Sequence, residues 1–452
     1  MFETLPGFRE FYPEACERRN HIFRKWKQVA HTFGFSEYDP PLLEPLELYI
    51  EKSGEEIVTQ LFNFVDKGGR AVSLRPELTP SLARLVGAKA NSIKRPVKWY
   101  AIGENFRYEK QQRGRLRSHY QLNCDILGEP GPGADAELIA VCLKSLTTFG
   151  LTSQDLVLRL SDRTLWMLYL AALGIEGDKA TRVLGVIDKM ERETREVVIE
   201  KLKPVFNDGA ADFLGKIETL TKIRSLEELR AFLVAQTASN TSNSTNKEQI
   251  EARLGEWASL LDYLEAYGVR DYVRVDLGIV RGLAYYTGFV FEIFELGANG
   301  TEGRALAGGG RYDHLVKKLG YPDMHAVGFG MGDVTLTDIL ERKKLIPTYV
   351  DAPEIFAVIG GATERKAALA GIAALRGAGY RVDYPLREVA FGKQFKLAGQ
   401  SGARLALIFG TDEVAAGTVK LRDMAGGTEM AVPAEHLVPA VREFFEHGHL
   451  HP

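Results

Sequence analysis

A chain of 452 residues is long enough for roughly two to four domains with full apolar cores. Its formal net charge of −3 excludes a generally basic coat for nucleic acid, though not a local basic patch. Three cysteines, Cys16, Cys124 and Cys142, are odd in number and widely spaced. They exclude a disulfide framework or a cysteine metal site and suit a reducing cytoplasm. The opening stretch MFETLPGFREFYPEA lacks the basic start and apolar core of a signal peptide, and no run of about 18 apolar residues predicts a membrane span.

In chain order, Ile22, Phe23, Trp26, Val29, Ala30 and Phe33 recur at helical spacing and predict a helix over 14–33, stopped by Gly34. The extended stretch SEYDPPLLEP follows, where Pro40 and Pro41 confine any strand to an edge, an end or an interface. LFNFVDKGGRAVSL reads as a hairpin around DKGG. In RPELTPSLARLVGAKA, Thr79 and Pro80 predict a helix N-cap followed by a first-turn proline. Two apolar strands, Val97–Phe106 and His119–Leu127, then flank a loop holding Arg107, Glu109, Lys110, Arg113, Arg115 and Arg117. Arg107 and Glu109 stand two apart at the strand end, so both face one side of the sheet. Guanidinium groups at a sheet surface suit phosphate; a merely solvated hairpin tip is the plainer alternative.

A helix over ADAELIAVCLKSLTTFG and a strand at DLVLRLS come next. Residues 165–265 are helix-rich and charged, without a strand pattern, and read as a helical insertion. Within them the polar segment TASNTSNSTNK, 237–247, reads as a flexible loop. Strands resume at DYVRVDL and FVFEIFE, followed by the glycine-rich RALAGGGRYDHLVKKLG and by AVGFGMGDVTL. AGGGRYD lacks GxGxxG spacing after a strand, so it predicts a close-approach turn rather than a dinucleotide loop. A strand run interrupted and then resumed fits one α+β domain carrying an insertion. From Pro353 strands alternate with helices, the pattern of an α/β domain. In the final HGHLHP, His447, His449 and His451 alternate like metal ligands, yet a frayed terminus is expected there.

With these parts in order, the chain resembles the histidyl-tRNA synthetases, which are class II aminoacyl-tRNA synthetases, over almost its full length. FSEYDPPLLEP resembles the first class II motif, with Pro41 as its dimer-interface proline. FRYEKQQRGRLRSHYQLNCDILG resembles the second. LRPELT is similar to the family's LRPExT segment, and IVRGLAYYTGFVFE to its RGLDYY segment. The tail resembles the family's anticodon-binding domain. The resemblance implies an α+β fold with a class II antiparallel-sheet catalytic domain in two parts, 1–165 and 266–340. A helical insertion, 166–265, separates them; a linker, 341–352, leads to an anticodon-binding α/β domain, 353–452. It implies histidine–tRNA ligase activity: L-histidine and ATP give histidyl-adenylate and pyrophosphate, then the histidyl group moves to tRNA(His) and AMP leaves. ATP is then a substrate carrying Mg²⁺, no all-protein metal site is expected, and a cytoplasmic homodimer without membrane association is expected.

Activation places an α-carboxylate against the α-phosphate of ATP, which is a matter of positioning and charge stabilisation. By resemblance, Arg107 grips the α-phosphate and the histidine carboxylate, and Arg281 is a second arginine at the α-phosphate. Arg281 stands among apolar residues, where an unpaired cation is costly; a structural ion pair with Asp276 is the alternative. Glu109 and Arg115 are assigned to the adenine side and the β- and γ-phosphates. Glu77, Thr79 and Gln121 would take the histidine ammonium, Asp125 an imidazole N–H, and Tyr285 and Tyr286 the ring; taken alone, paired tyrosines suggest core packing. Thr79 could also serve as the helix cap. The loop Lys110–Arg117 would approach the tRNA acceptor end, with cations for phosphate and glutamines for base edges. Lys393, Gln394 and Lys396 on a tail helix could touch anticodon RNA, and an exposed helix face explains them almost as well. His119 reads as packed in its strand.

Three departures from the family pattern stand out. The third class II motif normally brings an arginine to ATP, but here Asp333, Val334 and Thr335 occupy that stretch, leaving Arg304 and Arg311 as candidates nearby in sequence. RGLDYY has become RGLAYY, with Ala284. Asp125 stands where the family carries the longer glutamate. These changes open an alternative: a non-aminoacylating regulatory subunit of ATP phosphoribosyltransferase in histidine biosynthesis. The α/β tail argues against it.

Overall fold

The computed structural model describes residues 2–53, 55–108, 116–237, 244–280, 285–297 and 299–450, divided between two compact units, Met1–Pro347 and Thr348–Pro452. In the first unit the strands are β1 (Ser36–Glu37), β2 (Leu43–Pro45), β3 (Asn63–Val65), β4 (Ala71–Leu74), β5 (Val97–Phe106), β6 (Ser118–Leu127), β7 (Leu156–Asp162), β8 (Val273–Val275), β9 (Phe289–Leu296), β10 (Glu302–Arg311) and β11 (Ala326–Gly332). Eight form one sheet in the order β1-β5-β6-β11-β10-β9-β7-β8, antiparallel except at its two ends. A small sheet, β2-β4-β3, stands apart from it.

Side-chain alternation along β6 decides which face of the large sheet is dry. Leu122, Cys124 and Ile126 join the core with Ile22, Trp26 and Val29 of helix Pro13–Thr32 and with Leu138 and Cys142 of helix Pro132–Thr147. Gln121, Asn123 and Asp125, the intervening residues, project from the opposite face. Register carries that face across the sheet: Gly103 opposes Gln121 on β5, while Gly332, Gly330 and Gly328 of β11 oppose Gln121, Asn123 and Asp125. Helix Pro13–Thr32 stops as expected, with Gly34 in the left-handed region (φ 76°) and its N–H donating to His31 O at 2.9 Å.

Between Arg163 and Ala266 run the helices Arg163–Ala172, Gly177–Ile187, Arg195–Phe206, Ala210–Leu220, Leu226–Thr237 and Ser244–Ala266. They share the apolar core of the large sheet through Leu165, Leu214 and Leu254. The last is tied to the end of β7, where Asp162 accepts from Trp257 Nε1 (2.8 Å) and Arg253 Nε (2.6 Å). Part of the polar segment expected as a loop is helical: helix Ser244–Ala266 starts inside it, and 238–243 lie outside the described residues.

Two further expectations change. AGGGRYD is not a turn; its glycines form the end of β10, because a Cβ at Gly309 would fall 2.3 Å from Gly328 O across the strand pair. Thr79 does not cap the next helix; it is the first residue of helix Thr79–Gly87, Leu78 holds the cap position, and no side chain makes a capping bond.

The second unit has β12 (Ile355–Ile359), β13 (Val382–Asp383), β14 (Leu405–Phe409), β15 (Thr418–Asp423) and β16 (Glu429–Pro433), ordered β13-β12-β14-β15-β16. The first three are parallel and the last two antiparallel. IFAVI is apolar throughout because β12 is covered twice: Ile355, Ala357 and Ile359 meet helices Ala362–Gly377 and Leu437–His447, while Phe356 and Val358 meet helix Phe391–Ser401. That last helix corrects a reading. Gln394 is buried; its amide oxygen accepts from Ile359 N (2.9 Å) and its Nε2 donates to Ile359 O and Val389 O (2.8 Å each). It staples the helix to β12, and only Lys393 and Lys396 are exposed. His447 closes the final helix, its ring against Glu443 O at 3.0 Å; His451 lies outside the described residues.

One buried cation joins the segments around the polar face. Arg75 is 2% exposed, and it donates from Nε to Glu104 O (2.9 Å) and from Nη1 to Pro40 O (2.7 Å). Its backbone N–H donates to Leu42 O (3.0 Å), and its carbonyl accepts from Phe106 N (2.9 Å). Gly103 makes the room: a Cβ there would stand 2.7 Å from Arg75 Nη2. Arg75→Met is expected to strand these carbonyls in a dry interior and cost about 3–5 kcal/mol, measured by chemical denaturation.

Candidate active site

The polar face of the large sheet carries a pocket of about 90 Å³. Pockets for drug-sized ligands measure about 300–1,000 Å³, so this one suits a much smaller molecule. Its floor is glycine. A Cβ on Gly328 would sit 1.8 Å from Asp125 Oδ1, and one on Gly330 would sit 2.2 Å from Gln121 Nε2. Only bare backbone lets those two side chains lie flat across β11. Gly308 of β10 extends the floor.

The walls come from separate elements. Glu77 and Thr79 enter from the turn that opens helix Thr79–Gly87, Arg107 from the end of β5, and Tyr285 and Tyr286 from the chain entering β9. Arg107 is fixed at two points: its Nε donates to Pro76 O (3.1 Å), and its backbone N–H donates to Arg117 O (2.9 Å). The first bond joins it to the loop that carries Glu77. Asn105 Nδ2 donates to Gln121 Oε1 (2.9 Å), which turns the donor end of Gln121 over Gly330. The Tyr285 and Tyr286 ring centroids lie 4.6 Å apart, and Tyr312 meets Tyr285 edge-on at 6.0 Å.

Asp125 is 1% exposed and sits behind the pocket wall rather than in it. Tyr312, which does line the pocket, donates its hydroxyl to Asp125 Oδ1 at 2.6 Å. Burial first, and the Asp125 charge second, push the Tyr312 phenol well above its ordinary pKa, so it stays protonated.

The sequence-selected residues thus fall into three groups. Glu77, Thr79, Arg107, Gln121, Tyr285 and Tyr286 converge on one pocket, and Asp125 reaches it through Tyr312. Glu109, Arg115 and Arg281 lie outside the described residues, as do Ala284 and the loop 110–113. Arg311 is committed elsewhere. It is buried against Asp135 (Nη2–Oδ2 2.5 Å) and donates from Nη1 to Glu129 O (2.9 Å), which removes it as a replacement for the third-motif arginine. Arg304 is exposed. Asp276, weighed above as a partner for Arg281, holds Arg159 at 2.8 Å.

Sequence reading missed Asn105, Asn123 and Tyr312. Asn123 was accessible, since it alternates between Gln121 and Asp125. Asn105 opposes His119 across a hairpin whose pairing follows from the two strands. Tyr312 is brought in from 187 residues away, and no local signal marks it.

His119 shares the pocket face of β6 and stays neutral: burial first, then the Arg107 and Arg9 charges, lower its pKa to about 3.

An arginine, a carboxylate and paired tyrosines thus converge on the glycine floor of a mostly antiparallel sheet. The family model described as histidyl-tRNA synthetase matches residues 7–334, and the anticodon-binding domain model matches 357–444. The histidine–tRNA ligase of Opitutus terrae is 54% identical over 444 residues, covering 98% of this chain and 99% of that protein. The histidine–tRNA ligase of Halobacterium salinarum is 36% identical over 449 residues, covering 98% and 100%. Among solved structures, the histidyl-tRNA synthetase of Nostoc sp. PCC 7120 superposes with a TM-score of 0.76 at 24% identity, covering 98% and 99%. Fold and matches together define a class II aminoacyl-tRNA synthetase. The chain belongs to the histidyl-tRNA synthetase family.

The neutral state of His119 has a measurable sign. Unfolded, the imidazole takes a proton near its ordinary pKa of about 6.5; folded, it does so only near 3. The stability it contributes is therefore complete above the unfolded pKa and is lost as pH falls towards the folded one. Between pH ~7.5 and ~5.5 the protein should lose about 1 kcal/mol more stability than its His119→Phe variant, read by urea unfolding at each pH.

Proposed function

We propose that the pocket binds L-histidine for activation by ATP and transfer to tRNA(His), as expected of a histidine–tRNA ligase. The observation that carries this is the convergence of Glu77, Thr79, Arg107, Gln121, Tyr285, Tyr286 and Tyr312 on one small glycine-floored pocket. Glu77 and Thr79 take the ammonium. Gln121 Oε1 is already engaged by Asn105, so its remaining donor end suits the histidine carboxylate better than the ammonium. Tyr285 and Tyr286 wall the ring. Because Tyr312 gives its proton to Asp125, its oxygen is left to accept an imidazole N–H. The relay spans the reach that Asp125 lacks relative to a glutamate.

In the first step a histidine carboxylate oxygen forms a bond to the α-phosphorus of ATP while the bond to the bridging oxygen breaks, releasing pyrophosphate. Arg107 and Arg281 hold the charge that accumulates on the α-phosphate; Glu109 and Arg115 serve the adenine side and the outer phosphates. Mg²⁺ enters as part of the nucleotide substrate. In the second step a terminal ribose hydroxyl of tRNA attacks the activated carbonyl and AMP leaves. The loop from Lys110 to Arg117 approaches the acceptor end, and Lys393 and Lys396 face the anticodon.

The domain scheme accompanies this reading: catalytic parts 1–165 and 266–340, helical insertion 166–265, linker 341–352 and anticodon-binding domain 353–452. A homodimer is supported by Leu42, Leu43, Phe64 and Val65, exposed large apolar residues on and beside the small sheet that follows Pro41. A cytoplasmic setting is consistent with three free cysteines, and no helix among the described residues is long and apolar enough to cross a membrane. The match to an anticodon-binding domain over 357–444 favours the charging enzyme over a regulatory subunit.

Histidine-dependent ATP–pyrophosphate exchange followed by charging of tRNA(His) tests the reading; absence of exchange by folded protein with Mg²⁺ would sink it. Tyr312→Phe is expected to lower kcat/KM for histidine about 10–100-fold, since it removes the oxygen that accepts the imidazole N–H, while KM for ATP stays put. Arg281→Ala should cut the exchange rate far more than it weakens histidine binding, because the charge it meets develops in the transition state. Equal losses in rate and binding would make Arg281 structural.

A further inference from the structure

Asp333, Val334 and Thr335 bring no guanidinium to ATP where the third motif would, and the structure offers another. Arg9 lies where the start of β6 meets the end of β11. Its anchor is Asp333, the residue after Gly332, and Gly332 pairs with the pocket residue Gln121. Arg9 Nη1 lies 2.9 Å from Asp333 Oδ2, and Nη2 donates to Oδ1 at 3.2 Å. Asp333 Oδ1 also accepts the backbone N–H of Tyr120 at 2.9 Å, so the carboxylate is itself locked to β6.

The two residues before Arg9 are both anchored. Gly7 O accepts from Arg117 N (3.0 Å) and Ser118 N (3.2 Å), binding the N-terminal segment to the start of β6. Phe8 packs on Phe62 and Phe106, whose ring centroids are 5.7 and 6.3 Å away, and Phe106 adjoins Arg107. Phe11 lies under the Arg9 guanidinium, 4.9 Å from carbon to centroid. Arg117, whose backbone N–H binds Gly7 O, also accepts from Arg107 N at 2.9 Å, so the segment carrying Arg9 is tied to the strand end that carries Arg107.

This arrangement fixes the guanidinium as a plate. Asp333 takes two N–H groups at its edge and balances its charge, Phe11 backs it, and about a quarter of the side chain, 24%, stays exposed. A charge-balanced plate suits a flat neutral ring better than a phosphate, because guanidinium groups stack on aromatic faces. We propose that Arg9, held edge-on by Asp333, packs against the purine ring of ATP and so supplies the guanidinium absent from the third motif. The proposal rests on the ATP-dependent reading above.

The test separates the two. Wild-type protein must first show histidine-dependent exchange; its absence would end the functional reading itself. With exchange established, Arg9→Lys keeps the charge and the pairing with Asp333 but loses the plane. It should raise KM for ATP about 10-fold, with KM for histidine and for pyrophosphate within about twofold and an unchanged melting temperature. The double variant Arg9→Met with Asp333→Leu replaces the pair by apolar side chains of similar volume, and it should show the same split. An unchanged KM for ATP in Arg9→Lys overturns the proposal. So does a parallel loss for all three substrates, which would make Arg9 a structural anchor, or an ATP defect that appears in Arg304→Met and not in Arg9→Lys.

Discussion

The site depends on a buried positive charge, Arg75, that does not line the pocket. Arg75 reaches Pro40 and Glu104 with its guanidinium and Leu42 and Phe106 with its main chain, so three chain segments far apart in sequence meet at one residue. Hydrogen bonds to a charged group in a dry interior are the strong kind, and they are directional, so they set distance as well as energy. Two residues after Arg75 comes Glu77 and four after it comes Thr79; three after Glu104 comes Arg107. The residues proposed to grip the amino acid and the phosphate are therefore measured off from the same point. The bond from Arg107 Nε to Pro76 O closes that frame from the other side.

The second constraint is the absence of side chains. β10 and β11 give up their Cβ atoms at Gly308, Gly328 and Gly330, which costs strand stability, and in return Gln121 and Asp125 lie across the sheet instead of standing up from it. The polar layer is kept thin this way and the pocket small. Such a floor also explains why Gln121 and Asp125 can alternate on β6 without being expelled from the sheet: Gln121 is paired with Asn105 and Asp125 with Tyr312.

The central hairpin was legible because strand alternation and the clustered arginines are local signals, and β5 and β6 fall where the apolar runs place them. The glycine run was misread because three glycines in a row are as compatible with a turn as with a strand; only the close approach of Gly328 O to Gly309 decides it, and that is a tertiary fact. Gln394 was read as a surface residue for the same reason. A helix presents a glutamine to solvent or to a neighbouring strand with equal ease, and here the unpaired backbone of Ile359 and Val389 claims it. Tyr312 had no local mark at all, since its meaning comes from Asp125 on a different strand.

Arginine shows why nearness in sequence is a poor guide to role. Arg311 stands closest to the glycine-rich strands that floor the pocket, yet it is spent on Asp135 and Glu129 O. Arg159 is spent on Asp276, Glu191 and Glu302, tying β7 to the end of β8, to the start of β10 and to the turn at Glu191. Arg75 is spent on carbonyls. Each guanidinium has five donors in one plane, so burial with enough acceptors converts it from a binding group into a joint. What distinguishes Arg9 and Arg107 is incomplete commitment. Arg107 has its Nε on Pro76 O and lines the pocket, and Arg9 has its edge on Asp333 with part of the side chain still open. A motif search counts the arginine missing near Thr335; the fold brings one from more than three hundred residues earlier, because Asp333 gives it an anchor at the same strand end.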